Sequence, residues 1–348
     1  MIDSLRPCIR AMAGYTPGEQ PRDGTFIKLN TNENPYPPSP RVFEALREAL
    51  TGDRLRKYPD PLGTHFRQMA GRVLGVDPEG ILIGNGSDDI LTILTRAFVP
   101  EGGLVVSPTP SYLLYRTLAN LQGARFTTVP FTADWKLPEP WPITDADLTF
   151  LANPNSPSGT TVSLAEIDQL RGRLHGPLVV DEAYADFAEG NALELVTQGA
   201  KDVVVTRTFS KSYALAGMRF GFAVADPALI QQLMKVKDSY NCDVLSLAAA
   251  AAAIEDQEYF RAIRARILAT RSRMEKALMD LGFIVCPSQA NFVWCQREDR
   301  AVKTIYEELK RRNILVRYMN YEGCGDGLRI SVGTEDEIDR LLNELTAI

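Results

Sequence analysis

The sequence is poor in the residues that metal, hydrolytic and nucleic-acid chemistry draw on. Among its 348 residues only His65 and His175 are histidines, and their separation matches no metal-ligand spacing, so no metal site is expected. A Gly-x-Ser-x-Gly elbow is missing, which leaves serine hydrolysis without its nucleophile turn. No lysine follows a glycine, so the phosphate loop Gly-x-x-x-x-Gly-Lys-Ser/Thr of nucleotide triphosphatases is absent. The net charge of −6 supplies no basic stripe to neutralise a nucleic-acid backbone. Cysteines are few: Cys8, Cys242, Cys286, Cys295 and Cys324 include no Cys-x-x-Cys pair and are odd in number, the usage of reduced thiols in a cytoplasmic protein. Long apolar runs are lacking too. Met1–Gly14 has no signal-peptide core, and the alanine run Ala248–Ala253 is short and soon meets Glu255 and Asp256, so a cytoplasmic chain that neither crosses a membrane nor is exported is expected.

What is present is ordinary globular material. Hydrophobic residues make up 45% and charged residues 24%, which argues against disorder and fibrous repeats. The length predicts two domains. From about Arg41 to Asp243, short β-branched runs such as Gly103–Ser107, Leu148–Ala152, Leu178–Val180, Val203–Thr206 and Phe220–Val224 alternate with amphipathic stretches. That rhythm predicts an α/β fold with a mostly parallel sheet sandwiched by helices. The Ala-rich, Arg-rich segment Val244–Arg273 reads as one helix carrying the chain out of that sheet. Beyond it, Phe283–Cys286, Asn291–Cys295, Ile314–Arg317 and Leu328–Val332 read as strands and Arg300–Arg312 as a helix. A last helix starts at Glu335 behind a Thr334/Glu337 capping box, which completes a smaller α+β domain. The proline-rich Asn34–Pro40 reads as an extended crossing segment. The expected division is residues 36–245 for the large domain, and 1–35 with 246–348 for an N-terminal arm and small domain.

Candidate chemistry is concentrated in a few segments. In Thr206–Gly221, Lys211 follows a strand and sits between aromatic residues. Partial burial there disfavours the ammonium form, and a neutral amine is what attacks an aldehyde to make a Schiff base. Taken alone, Lys211 reads equally well as a solvated loop lysine. In Gly176–Phe187 an apolar strand ends in Asp181, and an acid at the carboxyl end of a parallel strand points into the crevice where such sheets bind ligands. It would pair there with a protonated pyridine nitrogen, or, by itself, merely cap a turn. Ile81–Leu91 reads as strand, glycine turn and helix start, where free N–H groups at Ser87 and Asp88 would hold a phosphate with Arg219. A plain turn with Ser87 as N-cap fits the same residues. Ala152–Thr160 is a polar proline-glycine turn, and Arg317 and Arg329 each offer a fork for a carboxylate or phosphate, or a surface salt bridge.

In this order, with Asp181 and Lys211 thirty residues apart, the segments resemble the fold-type I pyridoxal-phosphate-dependent aminotransferases of class I/II, from Leu29–Pro35 to Leu328–Thr334. The resemblance implies pyridoxal 5'-phosphate as cofactor, bound by Lys211 as a Schiff base. Lys211, once displaced by substrate, would move the proton between the substrate's α-carbon and the cofactor. It implies that Asp181 pairs with the ring nitrogen, Tyr184 with the ring's phenolic oxygen, and that Tyr112 stacks on the ring. A phosphate cradle of Ser210, Arg219 and the backbone at Ser87 and Asp88 is implied, with Tyr58 reaching in from the other subunit of a homodimer whose active sites lie at the interface. Arg329 would hold the substrate carboxylate or its equivalent, and Arg317 with Tyr15 a distal phosphate. The family's Asn-Pro-Thr-Gly reads Ser156–Gly159 here, so the ring-oxygen contact falls either to Asn155, one position earlier, or to the hydroxyl of Ser156. The implied activity passes an amino group between histidinol phosphate and 2-oxoglutarate, a step of histidine biosynthesis. Threonine-phosphate decarboxylation and aromatic amino-acid transamination share the motifs, because pocket shape sets substrate choice. A regulatory or binding module that keeps the fold without turnover is the non-enzyme alternative.

Overall fold

The computed structural model describes residues 2–12, 18–21 and 26–348. After the short β1 (Ile27–Leu29) the chain builds β2 (Ile81–Gly84), β3 (Leu104–Thr109), β4 (Arg125–Pro130), β5 (Leu148–Ala152), β6 (Leu178–Asp181), β7 (Val203–Thr208) and β8 (Gly221–Val224). The last seven form one sheet in the order β2-β8-β7-β6-β5-β3-β4. Every pairing is parallel except those of β8, which runs antiparallel to both β2 and β7. Every residue of β5, β6, β7 and β8 is buried. Continuous Val/Leu runs are what a strand covered on both faces needs, and this is why the parallel sheet is readable from sequence.

The pleat sends neighbouring residues to opposite covers. Val180 and Val205 meet the helices Pro40–Ala49, Thr64–Leu74 and Val244–Glu255, while Val179 and Val204 meet Ser87–Phe98, Leu114–Gln122 and Pro227–Leu233. The second sheet takes β9 (Ile284–Val285), β10 (Phe292–Gln296), β11 (Ile314–Tyr321) and β12 (Gly325–Ser331) in the order β1-β11-β12-β10-β9. Its only parallel pairing among the described residues is β1 with β11, Ile27 opposite Ile314. It has its own core against the helices Gln257–Asp280, Val302–Arg311 and Glu335–Thr346, the last carrying the expected Thr334/Glu337 capping box.

One expectation is corrected. The segment Val244–Arg273 is two helices, Val244–Glu255 and Gln257–Asp280, parted at Asp256, whose ψ of 69° leaves the helix and whose carboxylate caps the second helix at the Tyr259 N–H. Asp competes with a helix interior and suits a cap, so a break there is local chemistry. Ala249, Ala250 and Ala253 bury in the large sheet's core, whereas Ile263, Ile267 and Met274 bury in the small one. The chain therefore passes between the two cores at Asp256.

Candidate active site

The carboxyl ends of β5, β6 and β7 open onto a cavity of about 270 Å³ that β11, β12 and the segment 30–33 close from the other side. Strand register sets its floor: Ala152, Asp181 and Thr206 are successive neighbours across the sheet. Asp181 is 5% exposed and its oxygens accept from Tyr115 Oη at 2.8 Å and Thr206 Oγ1 at 3.2 Å. Burial raises its carboxyl to about 6, helped by the charge of Asp88 and opposed by the donors Tyr115, Thr206 and the Ala183 N–H.

Lys211 lies just beyond β7 and donates from Nζ to the Thr31 carbonyl at 2.9 Å. Burial, then the nearby Arg329 and Arg219, pull its ammonium down to about 8, against Glu33 and Asp88. Nζ is 5.9 Å from the centre of the Tyr184 ring, and the Tyr184 hydroxyl accepts from Asn32 Nδ2 at 2.9 Å. Lys211 and Asp181 both line the cavity, each close to the carboxyl end of one of two neighbouring strands.

The expected phosphate-binding residues gather at the start of the helix Ser87–Phe98, and one detail is corrected. Its N-cap is Gly86, with φ 80°, and Ser87 is the first helical residue. A side chain at position 86 would fall 2.6 Å from the Arg219 guanidinium, so glycine suits the turn twice over. The N–H groups of Ser87 and Asp88 belong to the unpaired first turn of the helix. Arg219 Nη1 donates to Ser210 Oγ at 3.0 Å, and Nη2 stands 3.8 Å from Asp88. Tyr112 donates to Asp88 Oδ1 at 3.2 Å and meets Tyr115 edge-on.

The turn after β5 places Asn155 and Ser156 differently. Asn155 is not among the residues lining the cavity; its Nδ2 donates to the Pro110 carbonyl at 3.1 Å and to Ser158 Oγ at 3.0 Å, while its Oδ1 is buried with no hydrogen-bond partner among the described residues. Ser156 does face the cavity, and its hydroxyl accepts from Arg329 Nη1 at 3.0 Å.

Arg317 and Arg329 stand opposite each other on β11 and β12, and both line the cavity. Arg329 Nη2 donates to the Asn30 carbonyl at 3.1 Å, while its Nε is buried with no hydrogen-bond partner among the described residues. Tyr58 is apart from this set, 79% exposed and stacked on Tyr240 at 4.3 Å. Tyr15 lies outside the described residues. Sequence reasoning missed Tyr115, Thr206, Ser111 and the segment 30–34. Tyr115 carried a faint signal, three residues past Tyr112, and the closely spaced asparagines Asn30, Asn32 and Asn34 carried another.

Directly beneath the site lies a buried charge network. Arg207 donates to Glu182 Oε2 from Nε at 2.8 Å and Nη2 at 2.7 Å, and to Asp186 Oδ1 from Nη1 at 2.6 Å. Glu182 also accepts from the Ala192 N–H, and Asp186 from Ser212, the residue after Lys211.

This fold and site define an aminotransferase: the family model for aminotransferase class I and II matches residues 24–345, and the chain belongs to that family. Its relatives narrow the likeness. The histidinol-phosphate aminotransferase of Rhodopirellula baltica is 54% identical over 96% of this chain and 92% of its own length. That of Geotalea daltonii is 48% identical over 99% of both. Among solved structures, histidinol-phosphate aminotransferase from Sinorhizobium meliloti in complex with pyridoxal-5'-phosphate matches with a TM-score of 0.86 and 26% identity, covering 99% of this chain and 98% of that one.

Proposed function

We propose that this chain transfers an amino group between histidinol phosphate and 2-oxoglutarate with pyridoxal 5'-phosphate as its cofactor. The single observation that carries the reading is Lys211, an amine desolvated to about 8 in the cavity that also holds Asp181 and an anion cradle. The residues present fit the cofactor. There is an amine able to react with an aldehyde, an acid for a pyridinium, and a helix start with Arg219 and Ser210 for a phosphate. The cavity wall also offers the Ser111 hydroxyl and Arg329 Nε, both buried without partners among the described residues. When bound, the cofactor supplies the electron sink that stabilises charge developing at the substrate's α-carbon.

The chain's own side chains then divide the work. Asp181 would hold the proton on the ring nitrogen, Tyr184 and Ser156 would serve the ring oxygen, and Tyr112 would cover the ring. Ser210, Arg219 and the N–H groups of Ser87 and Asp88 hold the cofactor phosphate. Lys211 would hold the cofactor's aldehyde carbon and would take and return the α-carbon proton; a base of about 8 sits near the operating pH, where such transfer is most effective. Arg329 and Arg317 would present adjacent forks to the substrate's anionic groups, Arg317 to the distal phosphate. Exposed Phe43, Leu50, Leu55 and Tyr58, with Tyr240, form apolar surface that a homodimer would cover, bringing Tyr58 to the partner's cofactor. The five free thiols fit a cytoplasmic setting.

The test is a substrate panel on the purified holoenzyme, read as change in the cofactor's visible absorbance. Histidinol phosphate should react faster than threonine phosphate or phenylalanine. Reaction confined to threonine phosphate, with release of carbon dioxide, would overturn the substrate assignment, and a colourless protein that takes up no cofactor would overturn the whole reading.

A further inference from the structure

The segment 30–34 crosses from the small sheet to the large one and meets the reacting groups almost residue by residue. The Asn30 carbonyl accepts from Arg329 and the Thr31 carbonyl from Lys211. The Asn34 amide donates to the carbonyls of Lys211 and Ser212 at 3.1 and 3.0 Å. Asn32, between them, is the most constrained. It is 1% exposed and has φ 55°, a left-handed conformation that asparagine tolerates better than most residues.

Three hydrogen bonds hold it. Its N–H donates to Ser331 Oγ at 2.8 Å, Ser331 Oγ donates to its Oδ1 at 3.0 Å, and its carbonyl accepts from Asn291 Nδ2 at 3.0 Å. With Oδ1 taken by Ser331, the Nδ2 half of the amide faces Tyr184, 2.9 Å from the phenol oxygen. A phenol that accepts from an amide keeps its own proton for donation. Tyr184 lines the cavity.

We infer that Asn32 is a positioning residue: anchored by Ser331, it fixes Tyr184 as a hydrogen-bond donor toward the phenolic oxygen of the cofactor ring. The inference rests on the cofactor reading above. It also joins two parts of the site, because Ser331 and Arg329 are two apart on β12 and so share a face of that strand. The strand that carries the substrate's arginine thus also holds the residue that orients Tyr184.

The experiment is a spectrophotometric pH titration of the bound cofactor's visible band in the holoenzyme, for the unaltered protein and for Asn32→Gly, Asn32→Asp and Ser331→Ala. Glycine keeps the left-handed backbone at low cost while deleting the amide. Aspartate keeps the shape but turns a donor into an acceptor, which draws the Tyr184 proton away from the cavity. A ring oxygen robbed of that donor carries more negative charge and holds the neighbouring imine proton more tightly, so the midpoint should rise. The expected rise is about one pH unit for Asn32→Gly and more for Asn32→Asp, the size of one hydrogen bond to a charged group, with a smaller rise for Ser331→Ala. In a Tyr184→Phe background, Asn32→Gly should add almost nothing, since the two act through one contact. An unmoved midpoint in both Asn32 variants overturns the proposal, as does an equal rise in the Tyr184→Phe background. A colourless unaltered protein would instead sink the cofactor reading and this inference with it, so the two failures are distinguishable.

Discussion

Asp181 and Glu182 are consecutive, both are buried, and they live in opposite chemical settings. Glu182 faces Arg207, which it shares with Asp186, and a backbone N–H completes its contacts. Asp181 faces Tyr115 and Thr206, neutral donors with no cation among them. The same contrast separates the two cations. Burial works against the charge of Arg207, but Glu182 and Asp186 outweigh it and hold the guanidinium charged. Lys211 has no salt bridge among the described residues; burial and the charges of Arg329 and Arg219 outweigh Glu33 and Asp88, and its ammonium is weakened. A buried charge with its counter-charge serves the fold, whereas one left half-neutral beside a cavity is poised to exchange a proton. The pleat makes the difference, since adjacent residues at a strand end point to opposite sides.

Substitutions at each side should break the comparison in different currencies. Lys211→Ala is expected to lower kcat by about four orders of magnitude, the upper range for losing one acid-base group, with the chain still folded. Stopped-flow measurement of each half-reaction reads it, and retained turnover would deny Lys211 its role. Arg207→Met, on the paired side, leaves the buried Glu182 and the half-buried Asp186 without their cation. Urea unfolding should show a loss of about 3–5 kcal/mol, and a loss near zero would mean that the network contributes little.

Asp181→Asn should do the reverse in the cofactor-free protein. The folded-state value of about 6 lies above the ordinary 3.8, so the folded chain binds this proton more tightly than the unfolded one. Its contribution is whole below about 3.8 and is lost as pH rises through 6, a swing of about 3 kcal/mol at most. The Asn variant should lack that slope and be the more stable protein at pH 7, while losing activity. A stability profile that still falls between pH 4 and 6 would place the titration on another group.

Much of this contrast is visible in the letters, though not all of it. The parallel sheet declared itself through β5, β6 and β7, whose apolar runs have no other use, and Asp181 and Lys211 were legible because each follows such a run. Nothing local marks Thr206 or Tyr115 as partners of Asp181; strand register and a helix from elsewhere bring them there. Asn155 and Ser156 were inseparable in sequence because hydrogen bonds to Ser158 within the turn and to the distant Pro110 carbonyl decide which one faces the cavity. The break at Asp256 was hidden by an alanine run that suits one long helix as well as two.

The smallest effect concerns the two arginines, which repeat the comparison at the substrate's end. Arg329 is held in place by Ser156 and the Asn30 carbonyl before anything binds, while no hydrogen bond or salt bridge holds Arg317 among the described residues. A side chain already fixed loses little freedom on binding, whereas a loose one gives back part of its contact energy as ordering entropy. Arg317→Ala should therefore raise KM for the phosphorylated donor about tenfold with kcat nearly unchanged, the net effect of one charge-assisted contact. Arg329→Ala should cost more, and in kcat as well, because its fork also sets Ser156. Steady-state kinetics on both variants decides the matter: a larger fall in kcat from Arg317→Ala than from Arg329→Ala would show that preorganisation does not rank these two residues.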